Sequence, residues 1–320
     1  MTDFTTPAHD VDYAIRLDRL DKIYRGKDGK PGKHALKSLT LDVPRGCIFG
    51  LLGPNGAGKS TMINILAGTV VKTSGAASVW GVDIDDNPRQ ARANIGIVPQ
   101  ELNIDAYFTP RETLDMISGM FGVPKAERRV DEILEEIGLT DQAHSYARTL
   151  SGGMRRRLLV GKAMVHQPPI LILDEPTAGV DVALRQKLWD MIRELNRNGV
   201  TIVLTTHYLE EAEALCDRIA IINHGTLITE ASTEDLLKGA GSKTLVLTLE
   251  HPPQTMPKAL DAFATSLDGN QLKITYAPDK MAAGELLSRA DAMGLKVVDV
   301  RTEEPNLEDV FLTLVHQDEA

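Results

Sequence analysis

The residues that most clearly indicate chemistry occupy positions 53–61, between a short apolar segment and a helix-like segment. They match the pattern G-x-x-x-x-G-K-[ST] in full. Glycines let backbone N–H groups converge on phosphate oxygens, a helix start adds positive partial charge, and the Lys59 ammonium neutralises β- and γ-phosphates. The Ser60 hydroxyl is a ligand for Mg²⁺. We therefore predict a phosphate-binding loop made of Gly53, Pro54, Asn55, Gly56, Ala57, Gly58, Lys59, Ser60 and Thr61.

A pair of carboxylates, Asp174 and Glu175, follows the apolar residues 170–173. This order places both acids at the carboxyl end of a buried strand, where α/β sheets bind their ligands. Asp174 suits a position on Mg²⁺ or one of its waters. Glu175 points the other way and suits a general base that polarises an attacking water. A solvated strand end is the alternative interpretation, and the phosphate loop argues against it.

A second anion site is indicated by Ser151, Gly152 and Gly153, which precede the helix-like residues 154–165. A serine N-cap with backbone donors at the head of a helix is ready to bind an anion. One chain with one phosphate loop and two such helix starts makes sense if the second site serves a nucleotide held by another copy.

The segments around these residues predict a mixed α/β architecture. Residues 12–41 alternate apolar and polar positions around a turn-rich stretch, which predicts antiparallel strands. Residues 170–223 alternate strand-like and helix-like segments, so a mostly parallel sheet is expected. Residues 72–80 look turn-rich, and residues 111–137 show a mostly helical pattern.

A change of composition around residues 239–243 predicts a boundary between two domains. The domain before it would span residues 11–238, with a helical subdomain at about 101–160, after a flexible tail at 1–10. Residues 239–320 hold short strand candidates and one helix candidate, which predicts a small α+β domain with its own modest core.

Composition excludes several classes of protein. Of the 320 residues, 42% are apolar and 25% charged, which excludes collagenous and disordered chains. No apolar run approaches the roughly 20 residues of a bilayer-spanning helix, and the acidic start lacks the features of a secretory signal, so we expect a soluble chain inside the cell. Cys47 and Cys216 are too few for a disulfide framework or a zinc cluster, so we expect packed thiols. The net charge of −10 gives no general attraction to nucleic acid.

Together these motifs resemble the nucleotide-binding ATPase subunits of ABC transporters. Six ordered motifs carry the resemblance: Walker A (53–61), a glutamine loop (Gln100 in IVPQE), the signature LSGGM (150–154), Walker B with Glu175, a D-loop (178–181) and a switch histidine (His207). The match covers about residues 11–235. It implies the P-loop NTPase fold of an ABC cassette, with a RecA-like core, an antiparallel β subdomain and a helical subdomain.

The resemblance assigns roles to several residues whose type and position alone would indicate no function. It implies that Tyr24 stacks on adenine, although a lone tyrosine is more often a packing residue. It implies that Gln100 touches Mg²⁺ and the attacking water and links to the helical subdomain. His207 would hydrogen-bond the γ-phosphate region and hold the water in line. Asp181 would bridge two subunits, and a cap for the helix that follows is its alternative role.

The family pattern also implies a head-to-tail dimer of this chain. The Walker A loop of one copy and Ser151, Gly152 and Gly153 of the other would enclose each ATP with its Mg²⁺. Many members carry glutamine at the position of Met154. This difference puts the rate of ATP hydrolysis in doubt, whereas we expect ATP binding to remain. We interpret the arginines at 155–157 as a solvated or inter-subunit face and not as a nucleic-acid patch.

Residues 304–312 (EPNLEDVFL) resemble the segment that closes an extra C-terminal domain in the ATPases of ABC-2 type, mostly exporting, permeases. This resemblance implies an integral membrane permease as a separate partner chain. It also implies a location at the cytoplasmic face of the inner membrane, through that permease. The alternative interpretation of the tail is an appendage that only stabilises a dimer.

The competing hypothesis is a soluble ABC-type ATPase that acts on ribosomes or nucleic acid. Such relatives usually fuse two cassettes, carry long coiled-coil insertions or add zinc-binding cysteines, and this chain has one cassette and neither of the other features. A non-catalytic cassette would need a broken Walker B glutamate or switch histidine, whereas Glu175 and His207 are both present.

Overall fold

The computed structural model describes residues 13–26, 32–178, 180, 182–239, 243–252, 263–278, 280–303 and 306–318. The chain divides into two compact units between Ser232 and Thr233. Each unit has its own sheet system and its own apolar core. The tail expected at 1–10 lies outside the described residues.

An antiparallel sheet forms one layer of the first unit. It contains β1 (Tyr13–Ile23), β2 (His34–Pro44), β4 (Ser74–Val79) and β5 (Val82–Asp83), in the order β2-β1-β4-β5. The alternation of β1 and β2 buries one face of this layer, as expected. The turn-rich interpretation of residues 72–80 was wrong, because β4 pairs with β1 there and buries Ala77 and Val79.

A second sheet carries the edge at which the chemically interesting residues meet. It contains β3 (Ile48–Leu52), β6 (Ile95–Val98), β7 (Ile170–Asp174), β8 (Thr201–Thr206), β9 (Arg218–Asn223) and β10 (Thr226–Ser232). The order is β10-β9-β3-β8-β7-β6, and the pairs are parallel except β9 with β10. Every residue of β3 and β8 is buried, which is typical of parallel strands covered on both faces. Their carboxyl ends therefore share one edge.

Seven helices accompany this sheet in the described part of the first unit. They are α1 (Lys59–Leu66), α2 (Pro88–Ala93), α3 (Pro110–Met120), α4 (Val130–Glu136), α5 (Gly152–Met164), α6 (Val182–Arg197) and α7 (Leu209–Leu215), with 3-10 turns at Lys125–Glu127 and Ala147–Thr149. Three of them, α3, α4 and α5, begin within the stretch of about 101–160 where a helical subdomain is expected. A capping box starts α3: the Thr109 hydroxyl accepts from the Glu112 N–H at 3.2 Å, and the Glu112 carboxylate accepts from the Thr109 N–H at 2.9 Å.

The second unit is a small antiparallel sheet with helices. It contains α8 (Thr233–Gly239), β11 (Lys243–Leu249), β12 (Ala264–Asp268), β13 (Gln271–Tyr276), α9 (Ala283–Ala292), β14 (Val297–Glu303) and α10 (Leu307–Asp318). The strand order is β12-β13-β11-β14. Leu247 and Ile274 pack in one core with Leu286 of α9. Since α8 contacts α10, the structure divides the chain ahead of α8, earlier than the boundary placed at 238/239 from composition.

Close packing of β6 against α5 is the feature of the first unit that can be tested most directly. A Cβ on Gly96 would lie 2.3 Å from the Ala163 carbonyl oxygen and 2.6 Å from Leu171 Cδ2. We expect Gly96→Ala to lower the free energy of unfolding by about 3 kcal/mol. Urea unfolding followed by tryptophan fluorescence measures this, because Trp80 and Trp189 both lie in the first unit.

The matched control is Gly122→Ala. Gly122 has a φ of +81° and no neighbouring atom within 4 Å of an added Cβ, so only the backbone conformation is strained. We expect Gly122→Ala to lower the free energy of unfolding by about 1 kcal/mol. An equal decrease in the two variants would contradict the packing argument.

Candidate functional site

The phosphate-binding loop connects β3 to α1, as its sequence predicts. Gly58, the residue before α1, has a φ of +114°, a conformation that L side chains rarely adopt. A Cβ on Gly53 would lie 2.1 Å from the Ile222 carbonyl oxygen of β9. The loop therefore requires glycine at both positions, and the first N–H groups of α1 remain available to an anion.

A pocket of about 390 Å³ opens over this loop. It gathers residues from five separate segments that the sequence singled out, together with two residues that it did not, Lys33 and Ala35. Its lining consists of Tyr24, Lys33, Ala35, Asn55, Gly56, Ala57, Gly58, Lys59, Ser60, Thr61, Gln100, Asp174, Glu175 and His207.

Lys59 lies buried at the base of this pocket, with 7% of its surface exposed. Its ammonium donates to the carbonyl oxygens of Gly53, at 2.5 Å, and Pro54, at 3.1 Å. Burial lowers the pKa of Lys59 below its usual value, and the carboxylates of Glu175 and Asp174 oppose that shift. The cation is thus held by two neutral acceptors that a phosphate can replace.

The two predicted acids lie where β7 ends, and Thr205 of β8 holds both of them. The Thr205 hydroxyl donates to Asp174 Oδ1 and accepts from the Glu175 N–H at 3.2 Å. The same N–H also donates to the Thr205 carbonyl oxygen at 3.0 Å. Glu175 has a φ of +46°, an uncommon conformation for a residue other than glycine that occurs often at functional sites. Thr205 therefore holds the carboxylate of Asp174 and the backbone of Glu175.

Gln100 and His207 converge on the Glu175 carboxylate. Gln100 Nε2 donates to Glu175 Oε2 at 2.7 Å, and His207 Nδ1 lies 3.1 Å from Glu175 Oε1. The Glu175 side chain is 12% exposed and that of His207 is 47% exposed. Three residues from separate segments of the sequence thus meet at one carboxylate beside the phosphate loop.

Tyr24 lies at the rim of the pocket with 36% of its surface exposed. Lys22 Nζ lies 4.9 Å from the centroid of its ring, and its hydroxyl lies 3.5 Å from Thr61 Oγ1. A half-exposed aromatic ring at the pocket rim suits stacking on a flat aromatic group.

The pocket has the oxygen donors that Mg²⁺ prefers. Among the described residues no cluster of three or more histidine, cysteine or acidic side chains could hold a metal by itself. Mg²⁺ is usually bound through one or two carboxylates together with phosphate oxygens and waters. Ser60, Asp174 and Gln100 line the same pocket, so these residues fit an ion that arrives with a phosphate ligand.

The residues predicted to form a second anion site lie outside this pocket. The Ser151 hydroxyl accepts from the Met154 N–H at 3.3 Å and caps α5. Ser151 and Gly152 are exposed, Gly153 is buried against Leu184, and none of the three lines the pocket. Asp181 lies outside the described residues.

Arg156, the second of the three arginines that follow, does not form a solvated or inter-subunit face, and that interpretation was wrong for it. Arg156 is 4% exposed and donates to the carbonyl oxygens of Pro99 and Gln100, both at 2.9 Å. Arg157 donates to the carbonyl oxygens of Ile137 and Gly138 at 2.8 and 2.9 Å. Arg156 therefore fastens α5 to the glutamine that contacts Glu175.

Sequence reasoning missed Thr205, Arg156 and Lys33. Thr205 carried a usable signal, since it is a hydroxyl in an otherwise apolar strand just before His207. Arg156 had no such signal, because the carbonyl oxygens that it contacts are distant in sequence, and Lys33 belongs to none of the motifs.

In the described part of the chain no helix combines the length and apolar character needed to cross a lipid bilayer.

Comparison with known proteins places these features in one family. Residues 36–178 match the family model described as ABC transporter. The linearmycin resistance ATP-binding protein LnrL of Bacillus subtilis is 37% identical over 94% of this chain and 97% of its own. The Nod factor export ATP-binding protein I of Rhizobium sp. (strain N33) is 36% identical, over 88% of this chain and 92% of its own.

Solved structures agree with these sequence relatives. An ATP-binding cassette solved as a dimer in a post-hydrolysis state, bound to ADP and Pi, is 26% identical and superposes with a TM-score of 0.61 over 68% of this chain and 98% of its own. The expected P-loop ATPase cassette is thereby confirmed. The chain belongs to the ABC transporter family and is one of its ATP-binding, ATP-hydrolysing subunits.

Proposed function

We propose that Glu175 is the general base for ATP hydrolysis and that this hydrolysis powers a separate membrane permease that exports its cargo. The observation that carries the proposal is the meeting of Gln100 and His207 on the Glu175 carboxylate, in the pocket above the phosphate loop. A carboxylate at this place accepts a proton from the water that attacks the γ-phosphate.

The other pocket residues bind the nucleotide and orient the reacting groups. Lys59 exchanges the carbonyl oxygens of Gly53 and Pro54 for β- and γ-phosphate oxygens. Ser60, Asp174 and Gln100 would hold Mg²⁺, which would supply positive charge to the phosphate oxygens. His207 orients Glu175 and, being half-exposed in the pocket, can also reach the γ-phosphate.

Each ATP is completed by a second copy of the chain. Ser151 and Gly152 are exposed donors at a helix start and lie outside the pocket of their own chain. A head-to-tail dimer brings Ser151, Gly152 and Gly153 of one copy to the γ-phosphate held by the other. The dimeric state of the related cassette supports this arrangement.

An apolar groove supports docking to a membrane partner. A cavity of about 480 Å³ lies between α1, β6 and the helices α3 and α5, and its walls include Ile97, Ile117 and Leu159. Phe121 stacks on His166 in its wall with ring centroids 3.9 Å apart, and Met120 beside it is 76% exposed. Apolar surface of this kind, next to Gln100, marks an interaction site.

The partner we propose is a permease of the ABC-2 type. The relatives are named for drug resistance and for Nod factor export, which supports export as the direction. The chain would lie at the cytoplasmic face of the membrane through that permease. The alternative of ribosomes or nucleic acid receives no support from these relatives.

The first prediction concerns the proposed base. We expect Glu175→Gln to lower the rate of ATP hydrolysis by about 100-fold or more, because the amide cannot accept the proton. ATP binding remains, and with ATP the variant forms dimers, measured by light scattering. Glu101→Gln, an exposed neighbour outside the pocket, is the matched control. Hydrolysis near the parent rate would refute the role of Glu175, and monomers with ATP would refute the head-to-tail dimer.

The second prediction concerns Thr205. Thr205→Val removes the hydroxyl shared by Asp174 and Glu175, so we expect kcat to fall and the Mg²⁺ concentration required for half-maximal activity to rise, each by roughly 10-fold. Thr206→Val is the control, because Thr206 is equally buried but accepts only from the Tyr208 N–H at 3.0 Å. The same Mg²⁺ response in both variants would rule out a positioning role for Thr205.

The third prediction concerns the groove. When the tagged chain is purified from detergent-solubilised membranes of its own cells, we expect an integral membrane protein with several spanning helices to accompany it. Met120→Asp should lower that recovery by roughly 10-fold, since a charge at the apolar rim must be desolvated. Val71→Asp, at an exposed position outside the groove, should not. Recovery with ribosomes or nucleic acid, or equal recovery of both variants, would contradict the permease proposal.

A further inference from the structure

The outer edge of β14 is unpaired in the described part of the second unit. β14 is the last strand of the order β12-β13-β11-β14, and it pairs with β11 on its inner side only. Five consecutive residues, 298–302, are exposed, with Val298 at 69% and Val300 at 41%. An open edge of this length presents unpaired N–H and C=O groups to another strand.

The side chains of β14 divide between two faces. Val300 lies opposite Leu247 of β11 and so on the face that α9 covers. Arg301 lies opposite Val246, on the other face, and Asp299 shares that face because side chains alternate along a strand. The edge thus has an apolar face and a charged face. On the charged face Arg301 lies between Asp299 and Glu303, and its guanidinium is 3.0 Å from Glu303 Oε1.

Symmetry limits how two copies of this edge can pair. In an antiparallel pair related by a two-fold axis, one residue must lie directly opposite its own copy, and the axis passes midway between the two. This follows because the backbone groups that point outward belong to alternate residues. We call this residue the centre of the pair. The choice of centre determines every other cross-strand pair, and the charges on β14 discriminate between the possible centres.

Centres at Asp299 and at Arg301 place like charges directly opposite each other, which destabilises a strand pair. A centre at Val298 forms no pair of opposite charges, and a centre at Thr302 pairs Arg301 with Glu303 over a shorter overlap. A centre at Val300 places Asp299 opposite Arg301 of the other copy twice and gives an overlap from Val297 to Glu303, with the register of β14 against β11 shifting between Val297 and Asp299.

We propose that the second unit is a dimerisation surface, in which β14 pairs antiparallel with β14 of a second copy, centred on Val300, to give one continuous sheet. The two Val300 side chains meet at the axis on the apolar face. Two Asp299 to Arg301 ion pairs lie on the charged face. The charge complementarity of this register, which also has the longer overlap, argues for a second copy of the chain as the occupant of the edge.

This contact needs no nucleotide, whereas the head-to-tail dimer requires ATP. A strand pair is a small interface and so weak by itself. It gains strength when two copies are already held by a shared permease or by ATP, because the second contact then forms at high effective concentration.

The test is a cysteine at the symmetry axis of the full-length chain, without nucleotide. Residues directly opposite in an antiparallel pair have Cα atoms about 4.5–5.5 Å apart, within the range of a disulfide. We expect Val300→Cys to form a disulfide-linked dimer under mild oxidation. The native thiols are poor competitors, since burial raises the pKa of Cys47 to about 11 and that of Cys216 well above its usual value.

Val298→Cys is the matched control. In the proposed register Val298 faces Thr302, so two Val298 positions lie about 13 Å apart along the strand and cannot form a disulfide. Equal dimer yields from the two variants, no dimer from Val300→Cys, or a disulfide from Val300→Cys to a different protein would each overturn the proposal.

A charge exchange gives a second test of the same register. In the Val300→Cys chain, we expect Asp299→Arg alone and Arg301→Asp alone to slow disulfide formation by roughly 10-fold, because each puts like charges opposite each other. The two changes together should restore the rate. Failure to restore it overturns the register, and this outcome is independent of whether Glu175→Gln forms ATP-dependent dimers.

Discussion

The position of the Glu175 carboxylate depends on hydrogen bonds that β8 supplies to β7. The carbonyl and hydroxyl oxygens of Thr205 both accept from the Glu175 N–H, and the hydroxyl donates to Asp174. These bonds hold Glu175 at a φ of +46°, a conformation that a free chain would seldom adopt. Gln100 and His207 then complete the surroundings of the proposed base. The pairing of two adjacent parallel strands therefore decides whether the catalytic geometry exists.

Helix α5 connects this geometry to the surface that we propose a second copy completes. Its N-cap, Ser151, is the proposed contact to the other copy's ATP, and one turn later Arg156 holds the carbonyl oxygens of Pro99 and Gln100. A shift of α5 on dimer closure must move Gln100, and with it a hydrogen-bond partner of Glu175. The same helix also forms a wall of the apolar groove through Leu159, so the three sites share one rigid element.

Local patterns allowed much of the fold and of the pocket to be predicted from the sequence. The phosphate loop could be predicted because its glycines are required by the backbone itself, and the acids because four apolar residues ahead of them imply a buried strand. The segment 72–80 could not, since its small residues have weak strand propensity and pairing with β1 makes it a strand. Arg156 was misread because its charge suggested solvent, whereas backbone acceptors 56 and 57 positions away satisfy it.

The sequence by itself determined the chemical inventory: a loop that binds phosphate, two acids at a strand end, a histidine after another strand and a second helix start for an anion. Those features are properties of short segments, where backbone conformation and side-chain type depend on neighbours along the chain. Only the tertiary structure decided which of them meet. It joined Gln100, Glu175 and His207 and left Ser151 outside the pocket, because strand order and helix packing are set by contacts between residues far apart in the chain.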